Sequence, residues 1–283
     1  MIRAVLFMIL LIIAVVWTTS AQSLGELIQR ADAAYARNFE ETKLREAIAL
    51  YEQALTLDAN HRHSLNRLSQ AYYELAFAYY DVLAEDRNRV KDLRKTAYAK
   101  GQEYGLRSLR LNSEFTALER KDWGAAVRAV SDVAALYWMG NNWGRVLEEE
   151  GASITNLGRA VFDAPKIRQS YERAVEVDEK YMEGGPRRSL GALLANLPGF
   201  LGGDLQNAKE SLERAVQLGP DFFENHVIYA REYAVRARDR ALFESLLTFV
   251  MQAPLGDKYI LWNRVTKKEA QQLLAQIDSL FPK

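Results

Sequence analysis

The chain contains no cysteine and only three histidines and six prolines among its 283 residues. Without cysteine no disulfide can staple the fold, and no lipoprotein cysteine is available for acylation. No charge of one sign prevails either: 37 basic residues stand against 37 acidic ones, for a formal net charge of zero. Nucleic-acid binders usually carry a marked basic surplus, so nothing here points to a nucleic-acid partner. Catalytic signatures are also missing. There is no P-loop, no dinucleotide-type glycine fingerprint, no His-Glu-x-x-His and no Gly-x-Ser-x-Gly. No enzyme and no cofactor is expected on these grounds. The histidines do not suggest a metal site. His61 and His63 are two residues apart at a helix start, which directs them to different sides, and His226 stands alone beside Glu224 and Asn225.

One long hydrophobic run is present, at the beginning. Arg3 precedes an apolar stretch from Ala4 to Trp17, and the small or polar residues Thr18, Thr19, Ser20 and Ala21 follow. A positive start, an apolar middle and small residues before a cut describe a secretory signal, here residues 1–21. The run is shorter than the ~20 apolar residues of a usual spanning helix, although an uncleaved N-terminal anchor is the alternative. An exported chain without disulfides fits a bacterial periplasm. Residues 22–283 then read as a single domain.

That domain is organised by a recurring register. Gly203-Asp204 is followed by Ala208, Leu212, Ala215 and Pro220, at steps of four, three and five. A small residue, a larger apolar one and an alanine at helical spacing make one helix face. Gly-Asp before it and proline after it mark where the helix starts and stops. The same steps recur at Ala47/Tyr51/Ala54/Ala59, Gly101/Gly105/Ser108/Ser113 and Ile167/Tyr171/Ala174/Glu179. The intervals between these units exceed the roughly 34 residues of a regular tetratricopeptide (TPR) repeat, so extra segments such as Phe115–Val127 are expected between them. The reading is an all-α, TPR-like helical-hairpin solenoid of about four degenerate repeats with C-terminal capping helices. Leu242/Leu246/Phe249/Pro254 continues the register with large residues, as a divergent end repeat, and Thr266–Leu280 reads as the closing helix. Asn60 is the expected cap of the third helix. Asp163-Ala164-Pro165 and Gly184-Gly185-Pro186 read as further helix starts.

Two clusters are candidate binding sites. The first is Tyr137, Trp138, Asn141, Asn142, Trp143 and Arg145, on one helix with Gly140 and Gly144. Two consecutive asparagines inside a helix contradict local propensity, and such violations tend to fall at functional sites. The plain alternative is that the tryptophans fill space left by the glycines while the asparagines face water. The second is Gly184-Gly185-Pro186 with Arg187 and Arg188, where two guanidinium groups near a helix start could hold a carboxylate. Alternatively those arginines pair with nearby acids such as Glu183.

Several segments carry a family resemblance: Gly184-Gly185-Pro186; Leu197-Pro198-Gly199-Phe200-Leu201-Gly202-Gly203-Asp204-Leu205; Ala208 with Leu212-Glu213-Arg214-Ala215; Tyr229-Ala230-Arg231; and Asp239-Arg240-Ala241-Leu242-Phe243. Together with the Tyr137-Trp138 helix, they resemble the T component (TatT) of tripartite ATP-independent periplasmic (TRAP) transporters, over roughly residues 25–255. The resemblance implies a periplasmic TPR-like helical protein that assembles as a homotrimer and associates with the substrate-binding (P) protein. It also implies a cleft and pore that handle a small hydrophobic or carboxylated ligand, and no enzymatic activity; the local chemistry of the two clusters, not the resemblance, places such a channel near Trp138, Asn142, Trp143 and Arg187. Many members of that family are lipoproteins, and this cysteine-free chain departs from them. The competing reading is a general periplasmic TPR scaffold for protein–protein interaction in envelope assembly.

Overall fold

In the computed structural model, residues 23–151 and 154–282 are described, and the expected signal over residues 1–21 lies outside them. Among the described residues the protein is all-α, with helices and turns and no strand. The helix starts are written in short polar side chains that accept orphan backbone N–H groups. Ser23 and Glu26 form a reciprocal capping box at α1 (Leu24–Tyr35). Asn112 and Asp122 cap the short helices α5 (Ser113–Leu118) and α6 (Trp123–Arg128). Asp132 caps α7 (Val133–Glu150), Asp204 caps α10 (Leu205–Leu218) and Asp239 caps α12 (Arg240–Gln252). Each such cap contributes about 1 kcal/mol.

The helices pack as successive antiparallel neighbours. α1 lies on α2 (Glu41–Leu57), α2 on α3 (Arg62–Glu74), and α3 on α4 (Lys91–Leu109). α4 then packs on α7, α7 on α8 (Ile154–Asp178), α8 on α9 (Tyr181–Asn196) and α9 on α10, while α5 packs on α6 and α6 on α8. Tiny side chains bring these helices close. The recurrent register positions Ala54, Ser108, Ala174 and Ala215 are all completely buried. A methyl group on Gly105 would lie 2.6 Å from Met139 Cβ, and one on Gly101 would overlap the Asn142 side chain, so α4 meets α7 at near-backbone distance.

One contact departs from linear stacking. Trp262, on α13 (Ile260–Ala275), lies against Tyr73 and Phe77 from the first third of the chain, at ring-centroid distances of 6.2 and 5.7 Å. Its indole N–H donates to Glu74 over 3.2 Å. Glu74 is fully buried and also accepts from Tyr35, Asn38 and Gln70, so four donors from three segments meet on one carboxyl group. Burial raises its pKa in spite of them.

Several local expectations need correction. α8 runs straight through Asp163-Ala164-Pro165 and does not start there. Pro165 removes a backbone donor, yet Ala164 and Ile167 are buried and Asp163 accepts the Trp143 indole N–H at 3.3 Å, so tertiary packing overrides the break. The cap of α3 is His61, one residue past Asn60, its ring accepting from the Ser64 N–H. In α12 the buried face is Phe243, Leu247 and Val250; Phe249 is 42% exposed, so the register assigned to Leu242/Leu246/Phe249 is one residue early. The last long helix begins at Ile260 rather than Thr266, because Leu261, Trp262 and Val265 belong to the core, and a short α14 (Ile277–Leu280) follows. Finally, α3 continues as a π-helical turn (Leu75–Val82). A second one (Tyr229–Ala234) follows α11 (Phe223–Ile228). Such widened turns concentrate at functional sites.

Candidate functional site

Both π-helical turns face a polar chamber between α7, α9 and α13. An inner recess of about 110 Å³ is walled by Tyr73, Tyr137, Asn141, Arg188 and Glu224, among others. Beside it is a wider recess of about 490 Å³, walled by Phe77, Asp81, Val82, Glu269 and Leu273. Arg145, Glu148, Asn196, Arg231 and Glu232 belong to both walls, so the two recesses adjoin along a charged seam.

The sequence candidates divide between this chamber and the packing around it. Tyr137, Asn141, Arg145 and Arg188 reach the chamber. Asn141 Oδ1 accepts from the hydroxyls of Tyr171 at 2.9 Å and Ser189 at 2.8 Å, bringing α8 and α9 onto α7. Gly140 makes this possible, since a Cβ there would lie 2.7 Å from the Tyr171 ring. Trp138 is completely buried, donates its N–H to the Tyr181 hydroxyl at 2.9 Å and packs on Tyr73 and Tyr137. Asn142 is equally buried, donating to the carbonyls of Ser69 and Trp138 at 2.9 and 2.8 Å. Trp143 turns to the opposite side, edge-on to Trp123 and hydrogen-bonded to Asp163. Arg187 lies outside the chamber, where Glu179 accepts from it at 2.9 Å and from Arg214. The expected pairing of these arginines with Glu183 does not occur; Glu183 accepts from the Tyr259 hydroxyl instead.

Arg188 is the most deeply set cation, 2% exposed. Its guanidinium donates to Tyr137 Oη at 2.7 Å, Asn225 Oδ1 at 2.6 Å and the Met182 carbonyl at 3.4 Å, and it lies over the Phe222 ring. A backbone kink creates this nest. Met182, Glu183 and Gly184 take left-handed conformations, with φ of 48°, 57° and 86°, which two non-glycine residues adopt only under constraint. Asn225, wholly buried, supplies that constraint: its side-chain N–H groups donate to the carbonyls of Glu183, Ala215 and Gly219 at 2.8–2.9 Å.

The charges of the chamber are of both signs. Arg231 pairs with Glu232 at 2.5 Å and with Glu269. Burial works to raise the Glu232 carboxyl, but Arg231, Asn196 and Arg236 outweigh it and hold the pKa below the usual value. Glu224 goes the other way: burial raises it, helped by Glu269, against the lowering influence of Arg188 and Arg145. Arg145 stands apart. Its ion-pair partner Glu148, 2.8 Å away, has a side chain that is 65% exposed, and the guanidinium lies over the Phe77 ring. No group of three or more histidine, cysteine or acidic side chains among the described residues is placed to hold a metal ion.

Tyr73, Phe77, Glu224, Arg231, Glu232, Trp262 and Glu269 were not singled out from sequence. Glu74 carries the plainest missed signal, a lone acid inside the apolar run Ala71–Tyr80. Arg231 ends the motif segment Tyr229-Ala230-Arg231 and Glu232 directly follows it, but their inward direction depends on the π-helical turn, which local sequence does not announce.

The family model described as the TRAP transporter T-component (TAtT) matches residues 41–281 of the chain. The chain belongs to that family. No curated protein matches it. The family is a TRAP transporter component, which supports a TRAP-associated role, and is not a known enzyme family. No helix among the described residues of this T-component is long and apolar enough to cross a membrane.

Proposed function

We propose that this T-component works in the periplasm, exported by its first 21 residues, as a homotrimeric auxiliary module that docks the substrate-binding (P) protein of a TRAP system. In this reading its chamber receives a small molecule with a carboxylate and an apolar body. The observation that carries the proposal is Arg145. It belongs to the walls of both recesses, it is only one-fifth exposed, and its single carboxylate partner is largely in water. A pair of that kind contributes little, so the guanidinium is available to a better acceptor. Tyr73, Phe77 and Trp262 provide the apolar surface around it, in the manner of small-molecule sites that combine aromatic walls with one or two fixed charges.

The test has three readouts on the exported protein. Purification from its own envelope should recover the P protein in matched amount; recovery with outer-membrane assembly factors instead favours a general scaffold and contradicts the proposal. Light scattering should give a trimer, and a monomer at micromolar concentration counts against it. Arg145→Met should weaken binding of small organic acids about tenfold or more, the loss expected of a charge-assisted hydrogen-bonded pair, while leaving helicity intact.

A further inference from the structure

Two buried carboxylate oxygens in the chamber lack a donor. Glu224 is 4% exposed and Glu269 7%, and neither Oε2 has a hydrogen-bond partner. The nearest cation to Glu224 is Arg188, whose Nη2 lies 3.7 Å away, beyond hydrogen-bonding reach. That guanidinium is already occupied by Tyr137, Asn225 and the Met182 carbonyl. Arg231 is taken up by Glu232 and by the other oxygen of Glu269. Buried polar atoms are nearly always partnered, and two orphan acceptors on adjoining recesses mark a place where a donor from outside belongs. A metal ion is a poor candidate for that donor, because the described residues offer no cluster of ligands for one.

The acceptors and Arg145 line the same pair of adjoining recesses. Glu224 and Arg145 both wall the inner recess, whereas Phe77, Val82 and Leu273 wall the outer one, with Glu269. We infer that the ligand is a small zwitterion of the amino-acid class. Its ammonium group donates to Glu224, its carboxylate sits on Arg145, and its apolar side chain extends into the outer recess against Phe77 and Leu273. The inference rests on the carboxylate-binding reading above and adds the second charge. It also accounts for the mixed signs of the chamber: a monoanion would leave the Glu224 oxygen buried and without a hydrogen-bond partner. An ammonium group beside Glu224 favours the charged carboxylate and so opposes the upward push that burial gives its pKa.

Three matched probe sets separate the two halves. The full exported chain is titrated with the standard apolar amino acids, with their N-acetyl derivatives, which keep the carboxylate and lose the ammonium, and with their amides, which keep the ammonium and lose the carboxylate. Native mass spectrometry and calorimetry read the binding. The free amino acids should bind at least about tenfold more tightly than either derivative set. N-acetyl forms binding as well as the free acids overturns the zwitterion and leaves the carboxylate reading standing. Amides binding as well as the acids overturns both. Failure of all three sets at millimolar concentration overturns the zwitterion as well. Glu224→Gln keeps the shape of the acid and removes its charge. The variant, checked for unchanged helicity, should lose the preference for free acids over N-acetyl forms; a retained preference contradicts the assignment of Glu224.

Discussion

Asn225 is one side chain that stabilises three backbone carbonyls and one guanidinium at once. Asn225→Ala should therefore lower stability by about 3 kcal/mol, since it takes a donor from the Glu183, Ala215 and Gly219 carbonyls and an acceptor from the buried Arg188. A shift in the denaturant midpoint without a change in slope is the expected result. His226 gives a prediction in pH. Burial lowers its pKa below 6.5, only partly offset by the bond to the Pro220 carbonyl and by Asp221. The unfolded chain therefore takes up that proton first, and the stabilising contribution is complete above pH 6.5 and lost as pH falls below it. His226→Gln should lose less stability than the parent between about pH 7.5 and about pH 5.5; equal losses contradict the assignment. Both residues were visible in the sequence as polar letters near a helix start. Their partners were not, because Glu183, Ala215 and Pro220 meet them only through the kink and the helix ends that surround it.

Helix–helix approach was the most legible feature, since the steps of four, three and five select side chains that can face a neighbour at short range. Ala54, Ser108, Ala174 and Ala215 are buried without exception. Where the register was carried on by large residues alone, at Leu242, Leu246 and Phe249, it slipped by one. Large apolar residues come in adjacent pairs there, Leu242-Phe243, Leu246-Leu247 and Phe249-Val250, and leave the phase undetermined. Pro165 misled for a related reason: a strong local breaker lost to packing on both sides of it. The two π-helical turns had no sequence signal, and with them went the inward direction of Phe77, Arg231 and Glu232. Glycine substitutions separate close approach from mere helix content. Gly101→Ala should destabilise by ~1–3 kcal/mol, because its new methyl overlaps Asn142 between α4 and α7. Gly144→Ala, whose Cβ would lie 3.9 Å from the Tyr171 hydroxyl, should be neutral or stabilising by up to ~1 kcal/mol. Thermal melts of the two single variants check the contrast, and equal effects would mean that α4 and α7 are further apart than described.

At the scale of the molecule, α13 does what a terminal cap on a linear stack would not: it returns Trp262 to Tyr73, Phe77 and Glu74. Trp262→Ala should cost about 3–5 kcal/mol, the usual loss for truncating a buried tryptophan, and should open one wall of the chamber. This long-range closure has no local signature, so half of the chamber wall stayed illegible even though the Tyr137–Arg145 helix and Arg188 were readable as unusual. The reading as a whole depends on the chamber being occupied by an organic acid in the cell. The direct measurement is mass spectrometry of the small molecules that remain bound to the protein isolated from its own periplasm, compared with the Arg145→Met variant purified in parallel. A carboxylated compound present in the parent and absent from the variant is the predicted result. The same compound retained by both, or none in either, would contradict it.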